Sequence, residues 1–225
     1  MPDIISRTIR YLTIPRKFGN TLSYVDSTGT TGSATPQTLS NVTLHSNKEL
    51  GIFTDQACDS SCGYVQPGSV ANKGFAGADK TFLFEFQMPH ESPVGFLADQ
   101  PALWFLNAKI PYTQQYGDCS CWGTGCGEFD AFEVLANGDT KCKSTFHSTF
   151  KGGDSNYFAR PADKPVKVAV VFDSASRSVS VKVLDDGVVF GESLTAEDVA
   201  GFMSDDSPSA AGVGTLGTSL FAIAS

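Results

Sequence analysis

An all-β fold, a sandwich or a barrel, is what this sequence predicts. Three observations lead there. Short apolar segments alternate with polar residues at a period of two, 22 glycines and 11 prolines punctuate the chain, and no long amphipathic helix pattern occurs. The alternation is clearest in Thr81–Met88, where Phe82, Phe84 and Phe86 share one face and Glu85 and Gln87 the other. Val166–Phe172 and Ser178–Leu184 repeat the pattern on either side of a turn at 173–177, and Asp186-Gly187 turns the chain again. Leu50–Phe53 reads as a short strand, and Pro101–Leu106 is apolar enough for a central one. An outer strand is expected around Arg7–Leu12, and the Ser/Thr/Gly-rich stretch 26–38 reads as a loop. Thr195, followed by Glu197 and Asp198, opens the one credible helix, as an N-cap with acids in the first turn. The tail from Gly212 reads as loop and a last apolar strand.

No internal repeat or linker divides the 225 residues, so 1–225 is expected to form a single domain with a substantial core. The net charge of −8 disfavours nucleic acid and anionic membranes as partners and suits a neutral polymer. No apolar run is long enough to span a bilayer, and the N-terminus has no signal-peptide core. The six cysteines at 58, 62, 119, 121, 126 and 142 nevertheless suggest an oxidising compartment and three disulfides, with Cys58–Cys62 one bridge. The rival is a zinc site from Cys119, Cys121, Cys126 and Cys142, whose spacing does not match paired C-x-x-C knuckles. Asn41-Val42-Thr43 is a glycosylation sequon. Together these lead us to expect a secreted, monomeric domain of the cell exterior or wall whose leader has been removed, needing no cofactor and no metal.

The chemistry is concentrated in Cys126–Leu135, where three carboxylates fall within six residues of an otherwise apolar run. Strand alternation puts Glu128 and Asp130 on one face and Phe129 and Ala131 on the other. Glu133 would point away, unless a β-bulge near Ala131-Phe132 returns it to the same side. Three like charges on one face repel. They make sense where a reaction needs one ionised and one protonated carboxyl group close together, as a retaining glycoside hydrolase does. The competing reading is a solvated, charged sheet edge; the flanking Phe129, Phe132, Val134 and Leu135 argue against it.

Asn137-Gly138 marks a hairpin, and Lys141–Phe150 returns as the partner strand. A three-residue turn plus the bulge would place His147 opposite Glu128, whereas a two-residue turn would place Phe146 there. His147 then either bonds a catalytic carboxylate or a sugar hydroxyl, or is a structural histidine. Trp104 and Trp122, with Tyr112 and Tyr116 beside them, offer flat apolar platforms for pyranose rings, against a core role as the alternative. Asn107 and Gln115 are candidate sugar hydrogen-bonding groups within or beside the long loop 108–127, whose length suggests binding, against a role in holding the loop's own structure as the alternative. His45 and His90 have no partner legible in the sequence.

The pattern Glu128-x-Asp130-x-x-Glu133 resembles the signature of glycoside hydrolase family 16, as do Pro101-Ala102-Leu103-Trp104 and the Trp122 upstream of the signature. Ser61-Cys62-Gly63-Tyr64, Gly74-Phe75-Ala76-Gly77, Leu106–Pro111 and Gln115–Trp122 resemble the Tos-type cell-wall glycosyl hydrolases of fungi and oomycetes, over nearly the whole chain. Phe129 and Ala131 stand where family 16 usually has Ile or Leu. The resemblance implies a concanavalin-like β-jelly-roll of two curved antiparallel sheets and action on β-glucan. It further implies Glu128 as nucleophile, Asp130 as assisting acid and Glu133 as acid/base. The expected function is that of a retaining endo-β-1,3-glucanase. A non-catalytic glucan-binding wall protein and a β-glucan transglycosylase are the rivals on the same scaffold.

Overall fold

A computed structural model of the chain describes residues 10–13, 23–27, 32–35, 37, 42–45, 50–54, 56–62, 73–92, 98–107, 123, 126–149, 156–204 and 218–222. Their strands are β1 (Arg10–Thr13), β2 (Ser23–Val25), β3 (Gly32–Ser33), β4 (Leu50–Phe53), β5 (Lys80–Phe86), β6 (Ala102–Leu106), β7 (Glu128–Glu133), β8 (Lys141–His147), β9 (Asn156–Ala159), β10 (Val166–Asp173), β11 (Ser178–Leu184) and β12 (Thr218–Ala222). One α-helix, α1 (Ala196–Met203), follows β11. The strands pair antiparallel in three four-stranded sheets of order β3-β2-β1-β4, β12-β11-β10-β5 and β6-β7-β8-β9.

The last two sheets make the sandwich. Period-two alternation sends one side of each strand inward. Phe129, Phe132, Cys142 and Phe158 from one sheet meet Val168, Val170, Val179, Val181 and Phe221 from the other in one buried cluster. The aromatic rings interlock: Phe132 stacks on Phe158 with centroids 4.7 Å apart, and Phe129 meets Phe221 edge-on at 5.2 Å. Each fully buried Val or Phe contributes about 1.5–3 kcal/mol. This cluster therefore fixes which face of β7 looks away from the core.

The all-β sandwich is as the alternation predicts, and the expected strands at 50–53, 166–172 and 178–184 are present. Thr195 caps α1 in a capping box with Asp198, the Thr195 hydroxyl accepting from the Asp198 N–H. Lys182 on β11 donates to the Gly201 carbonyl in the helix's last turn at 2.8 Å. Several placements differ from expectation. β1 is not an outer strand: it pairs with β2 on one side and with Leu50–Phe53 on the other. The stretch 26–38 contributes the two-residue β3 as well as loop. The segment 101–106 is not central, because β6 ends its sheet among the described strands. Hydrophobicity there reflects packing of Leu103 and Phe105 against the core rather than two-sided pairing. Met88 leaves the sheet after β5 and donates its N–H to the Pro161 carbonyl instead.

The cysteines also differ from three disulfides. Cys58 and Cys62 are bridged around a 3-10 turn at Ser60–Cys62, as expected. Cys126 is disulfide-bonded, to a partner outside the described residues. Cys142 is a free thiol, completely buried, its Sγ 3.8 Å from the Met88 sulfur. Alternation on β8 turns its side chain into the core, where it serves as a small apolar group. The four-cysteine zinc alternative falls with it, since Cys126 offers no thiolate. Burial pushes the Cys142 thiol up to about 12. Thiol titration should accordingly leave Cys142 unreactive in the native protein and reveal it only on unfolding; rapid native labelling at Cys142 would contradict its placement. Asn41, the acceptor residue of the sequon, lies outside the described residues.

One buried ion pair ties these parts together. The Arg160 side chain, fully enclosed, bonds Asp99 through its guanidinium. It also donates to the carbonyls of Met88 at 2.8 Å, Pro89 at 2.9 Å and Asp139 at 3.2 Å. Asp99, held at φ 54°, receives the Gly138 N–H at 3.0 Å and the Glu91 N–H at 3.1 Å. The end of β5, the turn before β6 and the β7–β8 hairpin are thus pinned at one point. His90 reaches Asp99 at 3.1 Å, and His45 lies 2.8 Å from Glu91, which supplies the partners that the sequence left open.

Candidate active site

β7 carries the three carboxylates, and its pairing shows how they come together. Against β8, Glu128 faces His147, Phe129 faces Phe146 and Asp130 faces Thr145, and then Glu133 faces Lys143. Three steps along β7 match two along β8, so one extra residue is accommodated at Ala131-Phe132. The β6 side shows the same shift, with Trp104 opposite Asp130 and Leu103 opposite Phe132. This is a β-bulge. It lets Ala131 and Phe132 both bury themselves while returning Glu133 to the face of Glu128 and Asp130. The driving force is apolar: both residues gain core contact, and the acidic side chain is what remains outside.

Pairing continued from Glu133 and Lys143 leaves Asn137, Gly138 and Asp139 as the hairpin turn. The Asp139 N–H bonds the Ala136 carbonyl at 3.1 Å, and Gly138 takes φ 79°, which favours glycine. This three-residue turn settles the register question in favour of His147. Its Nε2 lies 3.0 Å from Asp130 Oδ2. Just before the first carboxylate, Gly127 adopts φ 82°, a second left-handed position that a side chain would strain.

The carboxylates differ in burial. Glu128 and Asp130 are only 8% and 5% exposed, while Glu133 and His147 are half-buried. Burial holds the Glu133 carboxyl above its ordinary value, and the negative charge of Asp130 adds to that; His147 and Lys143 oppose it. The main cause is therefore desolvation rather than the neighbouring carboxylates alone. The Asp130 hydrogen bond raises the His147 imidazole, and the charges of Asp130, Glu128 and Glu133 support it against burial. Donor atoms of Glu128, Asp130 and His147 lie within 4.8 Å of one another, a spacing that two carboxylates and an imidazole could offer a transition-metal ion. With His147 hydrogen-bonded to Asp130, the arrangement reads equally as a proton-sharing cluster.

Trp104 stands on this same face beside Asp130, between Leu103 and Phe105, which pack into the core. Its side chain therefore lies on the carboxylate side of the sheet, partly buried, rather than in the core cluster. Asn107 lies just past β6, exposed, its N–H bonded to the Gly127 carbonyl at 3.1 Å. Tyr112, Gln115, Tyr116 and Trp122 lie outside the described residues.

The family described as cell wall protein YJL171C/Tos1, C-terminal, matches residues 12–202. The chain belongs to this family. Among its relatives is a Saccharomyces cerevisiae protein named "Probable circularly permuted 1,3-beta-glucanase TOS1". It is 44% identical over 200 residues, covering 86% of this chain and 44% of the relative. A Schizosaccharomyces pombe protein, also named a probable circularly permuted 1,3-beta-glucanase, is 46% identical over 193 residues, covering 81% of this chain and 38% of its own length. One from Arthroderma benhamiae with the same designation is 46% identical over 175 residues, covering 73% and 40%. The chain thus spans less than half the length of these three curated relatives. No solved structure matches it significantly.

Two members of the site in this Tos1-family chain escaped the sequence reading. Thr145 and Lys143 share the face of His147, and Lys143 lies close enough to Glu133 to favour its charged form. The signal was available: counting back by twos from His147 names both, once His147 is known to face the carboxylates.

The His147–Asp130 contact should mark the pH dependence of stability. A histidine raised in the folded state adds stability that is complete below its unfolded value and is lost as pH rises through the folded one. Urea titrations of wild type and His147→Gln should therefore differ most below about pH 6.5 and converge as pH rises past the raised folded value. A gap that widens with rising pH would contradict the contact.

Proposed function

We propose that this chain carries the catalytic centre of a retaining endo-β-glucanase acting on cell-wall β-1,3-glucan. One observation supports this above the others: the one-residue bulge at Ala131-Phe132 that gathers Glu128, Asp130 and Glu133 on one face of the sheet, away from the core. The relatives' names point to the same substrate. The kinship with glycoside hydrolase family 16 rests on the signature spacing.

In this reading Glu128 attacks the anomeric carbon as a carboxylate. Glu133, favoured in its protonated form by burial and by Asp130, gives its proton to the departing glycosidic oxygen. It then takes a proton from the water that releases the glycosyl ester. Asp130, hydrogen-bonded to His147, lies in sequence and on the sheet face between them and helps to keep their roles distinct. His147 is a positioning residue, because it acts through Asp130. Trp104 offers the stacking surface nearest the carboxylates, and Trp122, Tyr116, Gln115 and Asn107 complete the proposed binding set. The protein works as a secreted, monomeric wall domain; the three disulfide-bonded cysteines among the described residues, Cys58, Cys62 and Cys126, and its wall-protein family support that setting.

The test is incubation with a panel of β-glucans, with released oligosaccharides sized and the new reducing end followed by proton NMR. Release from β-1,3-glucan with the β-anomer appearing first is the expected result. An α-anomer first would mean inversion and a wrong nucleophile. Binding without release would favour the non-catalytic wall protein, and products longer than the substrate would favour transglycosylation.

A further inference from the structure

The catalytic face extends beyond the residues assigned so far. Cross-strand partners share a face. From Glu133 the row runs through Lys143 on β8 to Tyr157 on β9, at the far side of the sheet from Trp104. The intervening residues turn the other way: Cys142, Ser144 and Phe158 are buried. Tyr157 is 52% exposed, and its ring is not lost to the core. Lys141, the next residue of β8 on this face, holds its ammonium 4.7 Å from the ring centroid. A cation over one side of an aromatic ring is favourable and holds it in place, leaving the other side to solvent.

We propose that Tyr157, with Lys141 and Lys143, forms a sugar-stacking subsite for a neutral β-linked hexopyranose unit remote from the scissile bond. Tyr157 lies two strand spacings from Glu133, about 10 Å. That is beyond the unit being cleaved and within reach of a neighbour further along the same chain. The ring supplies the apolar platform. Lys143, between Tyr157 and Glu133, supplies ammonium donors to sugar hydroxyls. With Trp104 at one end of the sheet and Tyr157 at the other, a bound glucan would cross the carboxylates with an aromatic contact on each side. This rests on the glucan reading proposed above and adds the extent of the cleft to it.

The experiment compares wild type, Tyr157→Ala and Tyr157→Phe on β-1,3-linked gluco-oligosaccharides of increasing length. Binding is followed by calorimetry and turnover by product analysis. Tyr157→Ala should weaken binding of long oligosaccharides by roughly 2- to 10-fold, the range for one aromatic contact. It should leave the shortest cleaved substrate unchanged, and Tyr157→Phe should behave as wild type. Equal behaviour of Tyr157→Ala and wild type at every length, with turnover intact, overturns the subsite and spares the glucanase reading. Tyr157-dependent binding of the oligosaccharides without any turnover supports the subsite and overturns the catalytic reading. A loss that is the same at all lengths, or that accompanies a lowered melting temperature, makes Tyr157 structural and overturns the subsite. Preference for carboxylated over neutral oligosaccharides would overturn the assignment to a neutral sugar.

Discussion

Glu128→Gln should abolish release of sugar from β-1,3-glucan, because an amide cannot form the glycosyl ester on which the proposed route depends. Glu133→Gln should act differently. On glucan, whose leaving oxygen needs a proton, it should lower turnover by roughly 10²–10⁴-fold. On aryl glycosides with acidic leaving groups the first step should be nearly spared, so that the glycosyl-enzyme accumulates. This split is the informative result, because a merely structural carboxylate would not distinguish leaving groups. Both variants should fold, since each removes one of three crowded acidic charges from a face that the core does not use. Wild-type pH dependence should be a bell whose limbs belong to the cluster of Glu128, Asp130, Glu133 and His147 together. The alkaline limb tracks loss of the acid's proton, and the raised Glu133 carboxyl moves that limb upward in pH. Undiminished turnover in Glu128→Gln, or an equal loss on both substrate types in Glu133→Gln, would refute the assigned roles.

Arg160→Met should produce the largest loss of stability, about 3–5 kcal/mol, the usual consequence of removing one partner of a buried ion pair. Asp99 would be left buried, at 4% exposure, without its guanidinium, and the carbonyls of Met88, Pro89 and Asp139 would each lose a donor. Urea denaturation checks the size. The double variant Arg160→Met with Asp99→Asn should recover part of the loss, because the stranded charge goes while asparagine tolerates the left-handed backbone at 99. The pair also has a pH signature. The Arg160 hydrogen bond, with help from His90, Glu91 and Gly138, holds the Asp99 carboxyl well below the usual carboxylate range. A carboxyl depressed in the folded state adds stability above its unfolded value, near 3.9, which is lost as pH falls through the folded value. The difference between Arg160→Met and wild type should therefore be largest near neutrality and shrink in acid. A small loss that is independent of pH would show that the pair contributes little.

The sequence alone determined what nearest neighbours along a strand can encode. Phe82, Phe84 and Phe86 announce an inward face, Val168 and Val170 another, and Thr195 with Asp198 a helix start, because alternation and capping are local. The spacing of Glu128, Asp130 and Glu133 was equally legible, and so was the need for a bulge if the three are to act together. That the bulge forms, and forms between Asp130 and Glu133, was decided by the sandwich, where Ala131 and Phe132 both find room against the opposite sheet. The same closure chose the hairpin register that sets His147 rather than Phe146 against Glu128, and it turned Trp104 outward while Leu103 and Phe105 went in. It also placed Cys142 beside Met88 instead of in a disulfide, and Arg160 on Asp99, 61 residues away in sequence. The chain offered the bulge and the His147 register only as alternatives, and it gave no sign of the buried thiol or of the ion pair. Each depends on which apolar groups two sheets can bury against one another, and a one-residue change of register would exchange every inward side chain for an outward one.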